Sequence, residues 1–254
     1  MRNGMFPIFT RGRVIKKESI EYLRDFPYDL ATLAFDSYCD GVLFGFGLKS
    51  KDERVIQVSK GAIKYQGYII VISESELDIT EFGRFTYVKL AVGDLRTTED
   101  YKFCPVEIRL DKSEFLHKNE MELGRFCLNK GAILRCKYDS FGDLRTEENT
   151  LDLTRVPYAS MGASPTLHPR VVQEYITALL PVAEEAVDIA FALMCSNAAG
   201  GVVHKGSILW YIAMRNRADY REYSLPQLYD KFMEMLPGHK GRTMRKRERW
   251  PTIE

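Results

Sequence analysis

Residues 40–72 constrain the fold of this chain more than any other stretch, because they combine β-branched and aromatic residues with glycines at short intervals. Glycine adopts positive φ at no steric cost, so a stretch of this composition forms short strands joined by tight turns. One face of 55–60 is more apolar than the other, and 69–72 are four consecutive apolar residues. An unbroken apolar run is typical of a strand covered on both faces. We interpret the stretch as a scaffold, since it offers no nucleophile, metal ligand or phosphate-binding loop.

The strand pattern continues beyond this stretch. Residues 86–92 and 104–110 alternate apolar and polar side chains, 132–138 indicate a further strand, and 119–129 suggest a strand pair around a glycine. We expect 74–82 to be a loop. Strands at this spacing, with turn residues between them, predict an antiparallel sandwich or partly open barrel.

The apolar period changes to that of a helix from residue 169 onward. A wide apolar stripe over 172–194 contains Pro181, which should kink or divide the helix. A second helix is predicted over 207–216, and a third begins at the cap Ser224 and ends at Pro237. Near the N-terminus, 16–26 predict a short helix ended by Pro27.

Together these patterns predict an α+β fold, with a mainly antiparallel N-terminal β-domain followed by a C-terminal α-helical domain. The Pro- and Gly-containing stretch 154–165 is the expected boundary. The predicted divisions are an N-terminal arm with short helices (1–39), the β-domain (40–155), the helical domain (166–238) and a basic C-terminal tail (239–254).

A resemblance rests on the order Asp-Gly-Val-Leu-x-Gly at 40–45 and Val-x-x-Gly-x-Ile-x-x-x-Gly-x-Ile-x-x-Ile at 58–72. This order resembles phage and prophage tail or baseplate proteins, in which two strands around a glycine turn recur near the N-terminus of virion subunits. The resemblance covers about a fifth of the chain. It implies a structural subunit of a contractile tail or tail-like particle, at the baseplate or the tail-fibre attachment region.

Composition limits the other classes of function. The 254 residues carry a formal net charge of +1, so no global field draws the chain to nucleic acid or to a membrane. The five cysteines form no Cys-x-x-Cys pair, which favours thiols in a reducing cytoplasm. The four histidines lack metal-ligand spacing, so we expect no metal and no cofactor. We also expect no signal peptide and no membrane insertion, since 186–195 are too short a run to span a bilayer.

Local patterns that could carry chemistry have plainer interpretations. In 200–207 the lysine precedes the glycine and the segment follows a helix, so it predicts a helix–helix turn and not a phosphate loop. Glu184, Glu185 and Asp188 lack the Glu-x-x-His spacing of bundle metal sites and indicate a solvated helix face. His204 has no visible nucleophile partner. We therefore expect no enzyme, although a site assembled from distant residues remains a third hypothesis.

The basic run over 239–250 is the strongest local charge signal. It fits a solvated tail, a tail that docks on a protein partner, or a tail that contacts nucleic acid. We favour docking, because Trp and Arg are typical interface anchors. The predicted partner-binding residues are Arg242, Arg245, Lys246, Arg247, Arg249 and Trp250.

The first functional hypothesis is thus a tail or baseplate subunit, oligomeric within a virion or tail-like particle that is assembled in the bacterial host cytoplasm. Its partners would be other tail or baseplate subunits, and nucleic acid is not the expected partner. The alternative is a nucleic-acid-associated protein that uses the basic tail. The sequence contains no helicase or polymerase motif, which counts against the alternative.

Overall fold

The computed structural model describes residues 7–146 and 148–237. Its fold is α+β, as predicted: antiparallel strands fill the N-terminal half and helices fill the C-terminal part. The strands are β1 (Gly41–Gly45), β2 (Leu48–Ser50), β3 (Val55–Val58), β4 (Gly61–Tyr65), β5 (Tyr68–Ile72), β6 (Ser75–Asp78), β7 (Phe85–Val92), β8 (Arg96–Thr97), β9 (Lys102–Phe103), β10 (Val106–Asp111) and β11 (Glu120–Cys127).

The strands form open sheets and not a closed barrel over the described residues. Three sheets have three strands each, in the orders β1-β4-β5, β2-β3-β6 and β10-β7-β11, and β8 pairs with β9 in a small ribbon. Every pairing of these strands is antiparallel. Residues 40–72 therefore contribute to two different sheets, which explains why glycine turns interrupt that stretch so often.

Glycine is required at two points of this scaffold. The β4–β5 hairpin turns at Gln66 and Gly67, which both have positive φ (48° and 81°), the combination that suits a two-residue hairpin. At the end of β1, Gly45 has φ 85°, and a Cβ there would lie 2.3 Å from the Lys60 carbonyl oxygen. A side chain at 45 would push β1 away from β4, with which it pairs.

Several predicted β-elements differ in detail. Residues 119–129 form one strand, β11, whose register shifts between Glu122 and Gly124, so the central glycine marks a bulge and not a turn. Residues 132–138 form only an isolated bridge, from Arg135 to Thr150, because none of the strands in the described ranges pairs with that segment. Part of the loop expected over 74–82 is β6, which pairs with β3.

The helices follow local signals closely. They are α1 (Lys17–Ala34), α2 (Pro169–Leu179), α3 (Ala186–Ser196), α4 (Lys205–Asn216) and α5 (Leu225–Met235). Pro181 divides α2 from α3 through a 3-10 turn, and Ser224 with Gln227 forms a capping box at the start of α5.

The helix predicted over 16–26 does not stop at Pro27. It continues through the proline to Ala34 as α1. A proline inside a helix removes one backbone hydrogen bond, here the one to the Leu23 carbonyl, while its φ remains compatible with the helix. The prediction that the helix ends at Pro27 is therefore wrong.

The sheets and the C-terminal helices share a continuous core. Its helical end is an aromatic cluster in which Tyr175 stacks on Phe232 with ring centroids 3.9 Å apart, and Phe191 stacks on Tyr211 at the same distance. In the stretch taken as the domain boundary, Val156, Tyr158 and Ala159 are buried. Tyr158 bridges both to Val42 of β1 and to Thr166, so this stretch packs against the β-domain and leads directly to α2.

Candidate protein-docking surface

Helix α1 has an apolar stripe whose position follows from its sequence. Its large aliphatic and aromatic side chains recur at intervals of three or four residues. At 3.6 residues per turn they fall within an arc of about 140°. We call this arc the α1 apolar face, and its members are Ile20, Leu23, Phe26, Leu30 and Leu33.

The α1 apolar face points away from the rest of the protein. Leu30 is 58% exposed and Leu33 is 74% exposed, and none of the residues of α1 is buried. The polar side of the helix is better covered, since the side chain of Asp25 is only 27% exposed. The usual arrangement of a surface helix, with the apolar stripe against the core, is therefore reversed.

Two contacts explain why the polar side faces inward. The Tyr28 hydroxyl donates to the Ile69 carbonyl of β5 at 3.2 Å. Strand β5 ends its sheet and has no further strand beside it among the described residues. The free edge of a strand presents backbone polar groups, which a polar helix side can cover.

The second contact is Lys64 of β4, which is 8% exposed. Its Nζ donates to the carbonyls of Phe35 (2.7 Å), Asp36 (2.8 Å) and Tyr38 (2.7 Å), just past the end of α1. These carbonyls follow the C-terminal end of the helix, where the helix dipole favours a cation. Lys64 thus holds the C-terminal end of α1 on the β-domain.

A cleft lies beside this anchored end. Its volume is about 620 Å³, and Tyr38, Phe44, Tyr158, His168 and Arg170 are among its lining residues. His168 caps α2, because its Nδ1 accepts a hydrogen bond from the Arg170 backbone N–H at 3.0 Å. Burial, with a smaller effect of the Arg170 charge, lowers the pKa of His168 to about 3, so the imidazole stays neutral and able to accept this bond.

Charged side chains on one face of the β10-β7-β11 sheet are paired with one another. Arg125 binds Glu122 with two hydrogen bonds of 2.7 Å, and Glu114 accepts from both Arg125 and Arg155. Lys89 donates to Asp111 at 3.0 Å. The Ser113 backbone N–H and then Lys89 lower the pKa of Asp111 to about 2. Because these charges are mutually satisfied, they indicate a structural network.

A second polar network lies between the helices. Asp188 is fully buried, and its Oδ1 accepts from the Tyr211 hydroxyl (2.8 Å) and from Arg215 Nε (3.0 Å). The Tyr175 hydroxyl lies 2.8 Å from that of Tyr211. Burial raises the pKa of both tyrosines. The solvated helix face expected at 184–188 is therefore wrong for Asp188, which connects α3 to α4.

Other residues singled out in the sequence lie around the start of α4 or outside the described part of the chain. His204 precedes α4, Lys205 is the first residue of α4, and Lys205 pairs with Glu222 at 3.1 Å. Residues 199–201 form a 3-10 turn after α3, as expected for a helix–helix connection. The predicted partner-binding residues Arg242, Arg245, Lys246, Arg247, Arg249 and Trp250 lie outside the described residues.

The described ranges contain neither a metal-binding cluster nor a helix that could cross a membrane. Within 7–146 and 148–237, no group of three or more His, Cys, Asp or Glu side chains is placed to hold a metal ion. None of the helices in the same ranges is both long enough and apolar enough to cross a membrane.

The sequence does not predict the exposed α1 apolar face. The predicted short helix over 16–26 contains only Ile20, Leu23 and Phe26 of this face. The signal was present in the continued spacing of Leu30 and Leu33 beyond the proline. The outward direction of the face had no signal in the sequence, because it depends on what the polar side covers.

Comparison with known proteins gives no match to a family and a weak structural likeness. No protein-family model matches the chain, and no curated protein matches it. Among solved structures, one described as the crystal structure of TssK is similar over 93% of this chain and 70% of its own, with 11% sequence identity and a TM-score of 0.41. A likeness of this size carries no argument about fold or function.

Proposed function

We propose that this chain is a structural subunit of a phage tail or tail-like particle, at the baseplate or the tail-fibre attachment region. It acts through contacts with other tail or baseplate subunits and performs no catalysis of its own. Its place is the virion or tail-like particle, assembled in the bacterial host cytoplasm.

The observation that carries the proposal is the α1 apolar face. Contiguous exposed apolar side chains on a soluble domain mark an interaction surface, because leaving them in water forgoes the free energy of burial. Leu23 and Leu30 lie near the centre of the face, and both are more than half exposed. Such a helix is expected in a subunit whose exposed apolar side chains become buried when it binds its neighbours.

The motif at 40–72 supports the particle class. It resembles tail and baseplate proteins in its order of strands and glycines, and those glycines occupy the β4–β5 turn and the close approach of β1 to β4. The scaffold also holds α1, since Ile69 and Lys64 both belong to this motif. The resemblance and the exposed helix therefore concern the same part of the molecule.

The test is incorporation into particles. Purified particles from a strain that carries the wild-type chain should contain it by mass spectrometry. The double variant Leu23→Glu, Leu30→Glu should be depleted, because two carboxylates on the α1 apolar face oppose burial. The matched control Leu95→Glu, Ile133→Glu changes exposed apolar residues elsewhere and should be incorporated normally. Absence of the wild-type chain from particles would overturn the proposal.

The nucleic-acid alternative rests on the basic run at 239–250. It predicts duplex binding that falls steeply with salt, with a log–log slope of about 0.9 in magnitude for each phosphate contacted. Deleting 239–254 should abolish such binding. Tight salt-sensitive DNA binding together with normal particle assembly of the deleted chain would favour this alternative over the particle subunit.

A further inference from the structure

We infer that the α1 apolar face binds the same face of a second copy of this chain, with the two α1 helices side by side and parallel. This inference rests on the proposed function, since it names a partner for the surface that the proposal depends on. The width of the face, the charges beside it and the contacts that hold α1 support this arrangement.

The width of the face favours packing against another helix of the same kind. An arc of about 140° is wider than the narrow seam of a two-stranded coiled coil, so one neighbouring helix can cover the centre of the face, where Leu23 and Leu30 lie. Ile20, Leu23 and Leu30 supply branched aliphatic side chains over nearly three turns, which can interdigitate with an identical set.

The charges beside the face favour a copy in parallel orientation. On the helical wheel Arg24 and Lys17 lie about 110–130° to one side of the centre of the face, and Asp29 and Glu18 lie at the same angles on the other side. When two parallel helices turn the same face toward each other, the basic flank of one meets the acidic flank of its neighbour. An antiparallel pair would place basic beside basic and acidic beside acidic, which is destabilising.

The contacts that hold α1 on the domain leave this face accessible to a neighbour. The polar side of the helix lies against β5 through Tyr28, and Lys64 holds its end. Two ion pairs lie within the helix, Lys17 with Glu21 at 3.5 Å and Arg24 with Asp25 at 2.7 Å, and Glu18 and Asp29 are exposed. Long exposed side chains of this kind can exchange partners at little cost when a second helix arrives.

Sedimentation velocity of the full chain over a wide range of protein concentration tests the inference. The wild type should self-associate reversibly. Leu23→Glu with Leu30→Glu should raise the dissociation constant at least ~30-fold, the change expected when hot-spot residues are lost. Leu95→Glu with Ile133→Glu should leave the dissociation constant unchanged, and circular dichroism should show every variant folded. A wild type that stays monomeric, or association that survives the α1 variant, would overturn the inference.

A charge reversal tests the parallel orientation. Arg24→Glu should weaken association, because it puts a carboxylate on the basic flank, opposite the acidic flank of the neighbour. Adding Asp29→Arg reverses the charge at the position on the facing flank and should restore association. Stronger association of Arg24→Glu alone would contradict the parallel arrangement, since that is the response of a pair whose basic flanks face each other.

Failure of this inference can be told apart from failure of the proposed function. If the chain is monomeric alone yet enters particles through α1, a different subunit covers the face and only the inference is overturned. If the chain self-associates through α1 but is absent from particles, the inference stands and the proposed function fails. Binding of the wild-type monomer to phospholipid vesicles through α1 would assign the face to a membrane surface and overturn the inference.

Discussion

Helices α1 and α5 are both amphipathic, yet they use their apolar residues in opposite ways. In α5 the stripe of Leu228, Tyr229 and Phe232 is buried in the core. In α1 every apolar residue of the face remains exposed to solvent, and the polar side lies against the domain. The contrast shows that an apolar stripe predicts a helix with one side that favours burial. The stripe alone does not determine whether the same chain or another molecule buries that side.

The two helices also differ in how they are held. Packing of aromatic rings fixes α5, since Phe232 stacks on Tyr175 and Tyr229 donates from its hydroxyl to the Phe141 carbonyl at 3.0 Å. Helix α1 is held chiefly by hydrogen bonds from Tyr28 and Lys64 to backbone carbonyls. Segments with few buried apolar contacts open most easily, so we expect α1 to exchange its amide hydrogens faster than α5.

The largest expected effect is on the free energy of unfolding and concerns α5, the buried helix. Phe232→Ala should lower the free energy of unfolding by about 3–5 kcal/mol, because it removes a fully buried ring and leaves a cavity between α2, α4 and α5. Urea denaturation followed by circular dichroism measures the change. Phe103→Ala, on an exposed ring, should stay within about 0.5 kcal/mol of the wild type. Equal losses for the two variants would mean that α5 is not a core helix.

The second expected effect concerns the start of α2, which His168 caps. The start of α1 has no side-chain cap. The folded pKa of His168, about 3, lies below its ordinary value of 6.5, so its contribution to stability is present above pH 6.5 and is lost as the pH falls toward 3. His168→Asn keeps a capping side chain but removes the titration. Over that window the variant should lose less stability on acidification than the wild type, as measured by urea denaturation at each pH.

The matched control for the acid experiment is His117→Asn, which changes an exposed histidine. It should leave the pH dependence of the wild type unaltered. If His168→Asn retained the full loss of stability between pH 6.5 and 3, a neutral His168 would not be a source of acid sensitivity in this protein.

The next effect concerns the anchor of α1. Lys64→Met keeps the apolar stem but withdraws the ammonium from the carbonyls of Phe35, Asp36 and Tyr38, and should cost about 1–3 kcal/mol. Hydrogen exchange should accelerate in the last turn of α1 and stay unchanged in α5. Lys49→Met, at an exposed lysine of β2, is the control and should have no such effect. Unchanged exchange in α1 would show that Lys64 does not hold the helix.

The smallest effect is expected on the α1 apolar face itself. Leu30→Ala should change the free energy of unfolding of the dilute chain by no more than about 0.5 kcal/mol, because the side chain is already in water. Leu228→Ala, at a fully buried leucine of α5, should cost about 2–5 kcal/mol. The measurement belongs at low protein concentration, since association would add stability by mass action. A large loss for Leu30→Ala in the monomer would place the face inside the protein.

Much of the helical half could be predicted because its signals are local. Ser224 with Gln227 caps α5, and Pro181 divides α2 from α3, as their chemistry requires wherever they occur. The β4–β5 hairpin is equally local, since the turn at Gln66 and Gly67 selects it. The strand expected at 132–138 depends on a neighbouring strand, and among the described residues this segment forms only an isolated bridge, from Arg135 to Thr150.

The sequence by itself determined the α+β class, the positions of the caps and turns, and the apolar stripe of α1, because each depends on residues close together in the chain. Only the tertiary structure decided that Asp188 is buried, that Lys64 reaches the end of α1, and that the stripe of α1 faces outward. Those outcomes depend on which distant backbone groups need a partner. The carbonyl of Ile69 on the free edge of β5 and the carbonyls after α1 accept hydrogen bonds from Tyr28 and Lys64, so the polar side of α1 lies inward and its apolar face stays exposed.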